Sequence, residues 1–82
     1  MAEMYKIVTD FLFEELKRRI NAGIFCDISS DTLTVRLIND SITWECSIPE
    51  ISKMMAMGLT VNRIADKITN EYKKEIMKRY FY

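Results

Sequence analysis

Histidine is absent from this 82-residue sequence, and glycine, proline and cysteine are scarce, with two, one and two residues respectively. Without histidine, the chain lacks the commonest general base and the commonest metal ligand. So few glycine and proline residues exclude collagen-like and linker-like architectures. Cys26 and Cys46 are too few and too widely spaced for a disulfide scaffold or a metal knuckle. We expect both thiols to be reduced and to point inward from strands.

Long apolar runs are also missing, since no stretch approaches the roughly 20 apolar residues of a membrane-spanning helix. Glu3, Lys6 and Asp10 stand where a secretion signal would be basic and then apolar. We therefore expect a cytoplasmic protein with no membrane partner. The 12 basic and 12 acidic residues give zero net charge, which argues against attachment to nucleic acid by bulk charge. The length and a hydrophobic content of 49% predict one globular domain, residues 1–82.

Apolar residues recur every three or four positions between residues 3 and 21, which predicts an amphipathic helix. The stripe consists of Met4, Ile7, Val8, Phe11, Leu12, Leu16 and Ile20. Gly23 suits a left-handed C-cap just past the helix, and Glu14 is placed to pair with Arg18 one turn later.

The period then changes from 3.6 to 2, which predicts three strands. The alternating runs begin at Ile24, Leu33 and Ile42, and Ser29-Ser30-Asp31 and Asn39-Asp40-Ser41 separate them. Such residues favour tight turns, so the runs predict a three-stranded antiparallel meander with one apolar face. The flanking helices are expected to cover that face.

Two helices are predicted after the strands. Pro49 is expected to start a short helix capped by Ser47 or Ile48, and that helix should stop at Gly58. Thr60 is expected to cap the last helix, which continues to the end of the sequence. The predicted fold is therefore α+β with the order α-β-β-β-α-α and the helices packed on one face of the sheet.

The apolar stripes predict the core. Its expected members are Ile7, Phe11, Leu12, Leu16, Val35, Leu37, Trp44, Cys46, Ile64 and Ile68. Met54, Met55 and Met57 are expected to fill core gaps, with a flexible contact surface as the alternative. The aromatic end Tyr80-Phe81-Tyr82 is expected either to fold back on the core or to lie in an interface.

Charge is divided unevenly along the chain. Residues 22–50 contain five carboxylates against Arg36 alone, a net charge of −4. Residues 51–82 contain seven basic residues against three acidic ones, a net charge of +4. The zero total therefore hides a dipolar molecule.

Catalytic chemistry finds little support in the sequence. The two glycines are too far apart for a phosphate loop, and a Ser or Cys nucleophile would have no histidine to activate it. Asp27 and Glu45 are expected to share the polar sheet face, where carboxylates are usually surface charges. We predict no enzymatic activity, no cofactor and no metal.

Residues 58–68 resemble the first helix of the helix-turn-helix in bacterial regulators, where a Gly-Leu-Thr start leads into an Ile-Ala pair. Thr69 stands where that family has a turn glycine, and the apolar period continues through Tyr72 and Ile76. We therefore predict one continuous helix without a recognition helix.

The α-β-β-β-α order resembles the double-stranded-RNA-binding domain, which binds through a basic end of its last helix and a loop between its first strands. The corresponding segments here are Pro49 to Lys53 and Ser30-Asp31. Neither segment is basic, so we do not expect this activity.

The whole chain resembles in composition the small proteins of phages and mobile elements in low-GC bacteria, since it is short and rich in Ile, Lys, Asn, Met and Tyr. That class includes anti-CRISPR proteins and other anti-defence inhibitors. The resemblance implies a compact binder that blocks a host machine by occupying its surface.

Two functions therefore remain open. The first is a protein-binding module that meets a basic partner surface through the polar sheet face, with Asp27, Thr34, Arg36, Thr43 and Glu45 as the contact residues. The second is a nucleic-acid-binding protein that uses the last helix, with Lys73, Lys74, Lys78, Arg79 and Tyr80 as the contact residues. Self-association is a further possibility, because a small domain buries a modest share of its surface.

Overall fold

A computed structural model describes the backbone of residues 2–40 and 42–81 and the side chains of residues 5–40 and 42–80. The elements are α1 (Ala2–Arg19), β1 (Gly23–Ser29), β2 (Thr32–Asn39), β3 (Ile42–Ile48), α2 (Ile51–Ala56) and α3 (Val61–Phe81). The strands form an antiparallel sheet in the order β1-β2-β3. The predicted α+β class and the α-β-β-β-α-α order are confirmed.

The core lies between the sheet and the two long helices. The central strand contributes Leu33, Val35 and Leu37, which are fully buried. The other large side chains that are fully buried are Leu12 and Leu16 on α1, Ile51 on α2, and Ile64 and Ile68 on α3. Because all these residues belong to one cluster, α1 and α3 cover the same face of the sheet. The opposite face of the sheet is open.

The setting of α1 on the sheet differs from the prediction. Ile7 and Phe11 are 55% and 61% exposed, so their assignment to the core is wrong. The buried stripe is Val8, Leu12, Leu16 and Ile20, with Tyr5 packed beside it. On the same side of the helix, the Tyr5 hydroxyl donates a hydrogen bond to Asp31 in the β1–β2 turn. The side chain of Met4 lies outside the described residues.

Several other core predictions hold only in part. Trp44 and Cys46 are half-buried and pack against the edge of the cluster. Trp44 makes an edge-to-face contact with the buried ring of Tyr72, with the ring centroids 5.9 Å apart. Among the three methionines, Met55 packs against the core, whereas Met54 and Met57 are exposed. The side chains of Phe81 and Tyr82 lie outside the described residues.

The short helix α2 begins two residues later than the sequence predicts. Glu50 occupies its N-cap in the left-handed region (φ 55°) and makes no side-chain cap. The cap comes instead from Asp31, which accepts hydrogen bonds from the backbone N–H and the hydroxyl of Ser52 at 3.1 and 2.7 Å. The hairpin turn therefore supplies the acceptor that the N-terminus of α2 needs.

The ends of the helices follow recognisable capping geometry, with one correction. Gly58 (φ 104°) closes α2 in a Schellman motif, since Leu59 donates to the carbonyl of Met54. The predicted left-handed C-cap at Gly23 is wrong, because α1 ends at Arg19 and Gly23 begins β1. The predicted Glu14–Arg18 pair is replaced by a Glu15–Arg18 pair at 3.3 Å.

The last helix is continuous from Val61 to Phe81, as predicted, and has no turn at Thr69. The Thr60 hydroxyl accepts a hydrogen bond from the N–H of Arg63, which confirms the predicted N-cap. Tyr72 is the last buried residue of α3 among those whose side chains are described. Ile76 is half-buried and still packs against the core, so among the described side chains only residues 77–80 lie past it.

Candidate functional site

The open face of the sheet is the candidate site. Because side chains alternate along a strand, the residues between the inward-facing ones all project from this face. It carries all five residues that the sequence predicts as contacts: Asp27, Thr34, Arg36, Thr43 and Glu45. Asp27 lies opposite Thr34, and Arg36 lies opposite Glu45. Thr43 lies opposite Ile38. Thr34 is half-buried and the other four are exposed.

Arg36 and Glu45 form an ion pair across β2 and β3. The Nε and Nη2 atoms of Arg36 both donate to Oε2 of Glu45, at 3.0 and 2.9 Å. Both side chains are about half exposed, so the pair contributes on the order of 0–1 kcal/mol to stability. The pair matters more for geometry, because it fixes two long side chains at the centre of the open face.

Two apolar residues lie on the open face and were not among the predicted contacts. Phe25 and Ile38 are 52% and 48% exposed. The guanidinium carbon of Arg36 lies 5.9 Å from the centroid of the Phe25 ring, within the range of a cation–π contact. Both residues occupy outward positions in their strands, and that parity was the signal in the sequence that could have found them. We call Phe25, Arg36, Ile38 and Glu45 the central patch.

The acidic residues of the meander do not gather on this face. Asp31 is engaged by Tyr5 and Ser52, and Glu50 lies 3.7 Å from the ammonium of Lys53. Glu45 is paired with Arg36, as described above. Asp27 has no ion pair or side-chain hydrogen bond in the described part of the chain. Asp40 lies in the turn between β2 and β3, so the open face carries two of the five carboxylates, and of these Asp27 is the one without an ion pair in the described part of the chain.

A cleft lies beside β1, between that strand and α1. Its volume is about 280 Å³, and it is lined by Tyr5, Lys6, Thr9, Asp27 and Ile28. Small-molecule sites typically occupy about 300–1,000 Å³, so this cleft is small for a ligand of that kind. It is large enough for a single side chain.

The alternative contact residues lie on the last turns of α3, and all five are exposed. Lys74 and Lys78 are one turn apart and share a side of the helix. Lys73 and Arg79 project from other sides, and Arg79 lies 3.4 Å from Glu75. The four cations therefore surround the helix, and only part of their charge can face one partner.

The two cysteines flank Val35 on the inward face of the sheet, since Cys26 and Cys46 both pair with that residue. Burial is the main cause that raises the pKa of each thiol to about 11. Within the described residues there is no group of three or more Cys, Asp or Glu side chains that could hold a metal ion. In the same part of the chain, no helix is both long and apolar enough to cross a bilayer.

Other exposed apolar side chains lie on separate elements. Ile7 and Phe11 are neighbours one turn apart on α1. Met54 and Met57 border a shallow groove with Leu59 and Arg63 at the end of α2. These positions surround the helical layer, whereas the central patch lies on the sheet.

Comparison with known proteins gives no relative: no family model, curated protein or solved structure matches the chain.

Proposed function

We propose that this protein is a non-enzymatic binding module whose open sheet face docks on a partner protein. The observation that carries the proposal is the half-exposed pair Phe25 and Ile38 beside the Arg36–Glu45 ion pair. Aromatic and arginine side chains are enriched at protein interfaces and often supply most of the binding energy. Side chains held on a sheet also lose less conformational entropy on binding than those on a loop.

The charge of the open face indicates a partner with a basic surface. Arg36 and Glu45 neutralise one another, and Asp27 adds a carboxylate without a partner among the described residues. A complementary positive charge on the partner would fix its orientation and accelerate association.

The test is capture of a partner from the lysate of a low-GC bacterial host, followed by mass spectrometry. The variant Phe25→Ser/Ile38→Ser should lose a protein that the wild type captures, because it removes both apolar anchors of the central patch. The matched control is Ile7→Ser/Phe11→Ser, which changes an equally exposed apolar pair on α1. Capture lost only in the α1 variant would overturn the assignment of the open face.

Charge reversal gives a second, independent test of the same face. Asp27→Lys with Glu45→Lys should weaken capture while the fold is kept, since both residues are exposed. Reversal of Lys73, Lys74, Lys78 and Arg79 should have a smaller effect. The opposite ranking would transfer the function to α3.

Within this proposal, the resemblance to phage and mobile-element proteins points to inhibition of a host defence system by surface occlusion. Expression of the chain in a CRISPR-immune host should then restore plating of a targeted phage, and the Phe25→Ser/Ile38→Ser variant should not. Unchanged immunity in both cases would limit the proposal to binding without this role.

The second candidate function is nucleic-acid binding by the last turns of α3. The observation that favours it is the position of four exposed cations on the last turns of α3, after Tyr72, the last buried residue among those whose side chains are described. Phosphate neutralisation by such cations gives affinity without sequence preference.

A further inference from the structure

We propose that the outer edge of β1 accepts an extended segment of a partner protein as a fourth strand of the sheet. This inference rests on the proposed function, since it assumes that the partner is a protein. The added strand would be a second contact beside the open face, and backbone hydrogen bonds to β1 would hold it. Three observations carry it: the direction of the β1 backbone groups, the cleft beside the strand, and the charge of Asp27.

The backbone groups of Ile24, Cys26 and Ile28 point away from the sheet. A two-residue turn joins β1 to β2, so Ser29 and Thr32 close the ladder as a hydrogen-bonded pair. Hydrogen-bonded pairs alternate along an antiparallel ladder, so the residues between them direct their N–H and C=O outward. No backbone hydrogen bond outside the ladder engages these three residues in the described ranges. An added strand would satisfy them.

The cleft provides a place for one side chain of the added strand. A residue paired with Ile28 would point to the same side of the sheet as Ile28. On that side lies the cleft of about 280 Å³ that Ile28 lines with Tyr5 and Thr9. Lys6 and Asp27 both border the same space, so their opposite charges give no net preference for a charged side chain of either sign. An uncharged, apolar side chain beside Ile28 therefore fits the cleft best.

The next residue of the segment would lie beside Asp27 on the open face. Opposite charges on neighbouring strands attract, and Asp27 has no other ion pair among the described residues. The chemistry that fits is an extended segment in which basic residues alternate with apolar ones. The edge of β3 fits less well, because its central outward carboxylate, Glu45, is already paired with Arg36.

The test uses a synthetic peptide probe, an acetylated and amidated hexapeptide of alternating lysine and valine. Two-dimensional NMR of the ¹⁵N-labelled protein, with millimolar peptide, should show shifted and exchange-protected amides at Ile24, Cys26 and Ile28. A peptide with glutamate in place of lysine should bind less, and one with a central proline should bind less because it loses an N–H donor.

Matched variants distinguish the β1 edge from general attraction between charges. Asp27→Lys should raise the dissociation constant of the peptide about three- to tenfold, the range expected when one cross-strand charge pair is reversed. Glu45→Lys, which changes the same charge on the opposite edge, should have a smaller effect. Equal effects of the two variants would overturn the assignment of the β1 edge.

Three other results would overturn the inference. Protection at Thr43, Glu45 and Ser47 would place the added strand on β3 and overturn it. Shifts confined to Phe25, Arg36 and Ile38, or no change at all, would also overturn it. The central patch is tested separately by loss of partner capture in Phe25→Ser/Ile38→Ser. Failure of the proposed strand addition at β1 can therefore be distinguished from failure of the proposed docking on the open face.

Discussion

The Tyr5 hydroxyl donates a 2.8 Å hydrogen bond to Oδ1 of Asp31, a residue 26 positions further along the chain. The same carboxylate accepts both the N–H and the hydroxyl of Ser52. One side chain in a hairpin turn thus connects α1, the sheet and the start of α2.

We expect that disrupting this connection lowers stability and that its two ends are coupled. Tyr5→Phe and Asp31→Asn should each reduce the urea midpoint of unfolding. In the double variant, the decrease in the midpoint should be smaller than the sum of the two single decreases. Asparagine tolerates the positive φ of 57° at Asp31, so the substitution reports on the lost carboxylate interactions. Asp10→Asn on the exposed side of α1 is the control and should leave the midpoint unchanged. Additive losses would contradict the coupling.

The pH dependence of stability should also show the contribution of the hydrogen bonds made by Asp31. Hydrogen bonds from Ser52 and Tyr5 lower the pKa of Asp31, while its carboxylate raises the pKa of Tyr5. A lowered carboxyl pKa contributes stability above the unfolded value of about 3.9, and that contribution is lost as the pH falls through the folded value. The gap in urea midpoint between wild type and Asp31→Asn should therefore narrow from about pH 6 to about pH 2.5. A constant gap would show that ionisation of Asp31 plays no part.

Because α1 is set with Leu16 buried and Phe11 exposed, replacing these residues by alanine should have very different effects on stability. Leu16→Ala or Leu37→Ala should cost about 2–5 kcal/mol, because each leaves a cavity at a fully buried site. Phe11→Ala should change the free energy of unfolding by about 0.5 kcal/mol or less, although the original residue is larger. Urea denaturation of the three variants measures this directly. A loss at Phe11 equal to that at Leu16 would contradict the observed setting of α1.

Sequence periodicity was sufficient for most of the fold and insufficient for the rotation of α1. The period-2 runs and their turn residues predicted the number of strands and which side chains share a face, and Asp27, Thr34, Arg36, Thr43 and Glu45 lie on one face as expected. On α1, apolar residues cover a wide arc that includes Ile7, Val8 and Phe11, and several rotations satisfy that arc. The observed rotation buries Leu12 and Leu16 completely, and it is accompanied by the contact of Tyr5 with Asp31, which lies far away in the sequence.

The cap of α2 was unpredictable for the same reason. Capping rules examine residues adjacent to a helix, whereas Asp31 reaches Ser52 from 21 residues away. Phe25 and Ile38 illustrate a different limit: parity places them outward, but an apolar residue at an outward position is usually counted toward the core. Their parity, together with the predicted packing of the helices on one face of the sheet, was sufficient to identify them as exposed.

The cysteines should be unreactive and unable to form a disulfide within the folded chain. With the pKa of each thiol raised to about 11, the thiolate at pH 8 is on the order of a hundredfold rarer than for an ordinary cysteine. Cys26 and Cys46 lie on either side of β2, about 9–10 Å apart by strand spacing, which exceeds the reach of a disulfide. Labelling with a thiol reagent should be slow without denaturant and fast in urea. Rapid labelling of both residues in the native state would contradict their inward placement.

The cations of α3 give the last prediction, which separates the two candidate functions. Lys74 and Lys78 share one side of the helix, while Lys73 and Arg79 face elsewhere, so at most about two or three phosphates can be contacted together. We therefore expect weak binding to arbitrary DNA or RNA, with dissociation constants of about 10⁻⁴ M or above at physiological salt. The expected salt slope is about −2, measured by fluorescence anisotropy of a labelled oligonucleotide. Charge reversal of all four residues should abolish even this binding without loss of fold, because all four are exposed. Micromolar affinity with a steep salt slope that disappears in the reversed variant would favour nucleic acid over protein as the partner.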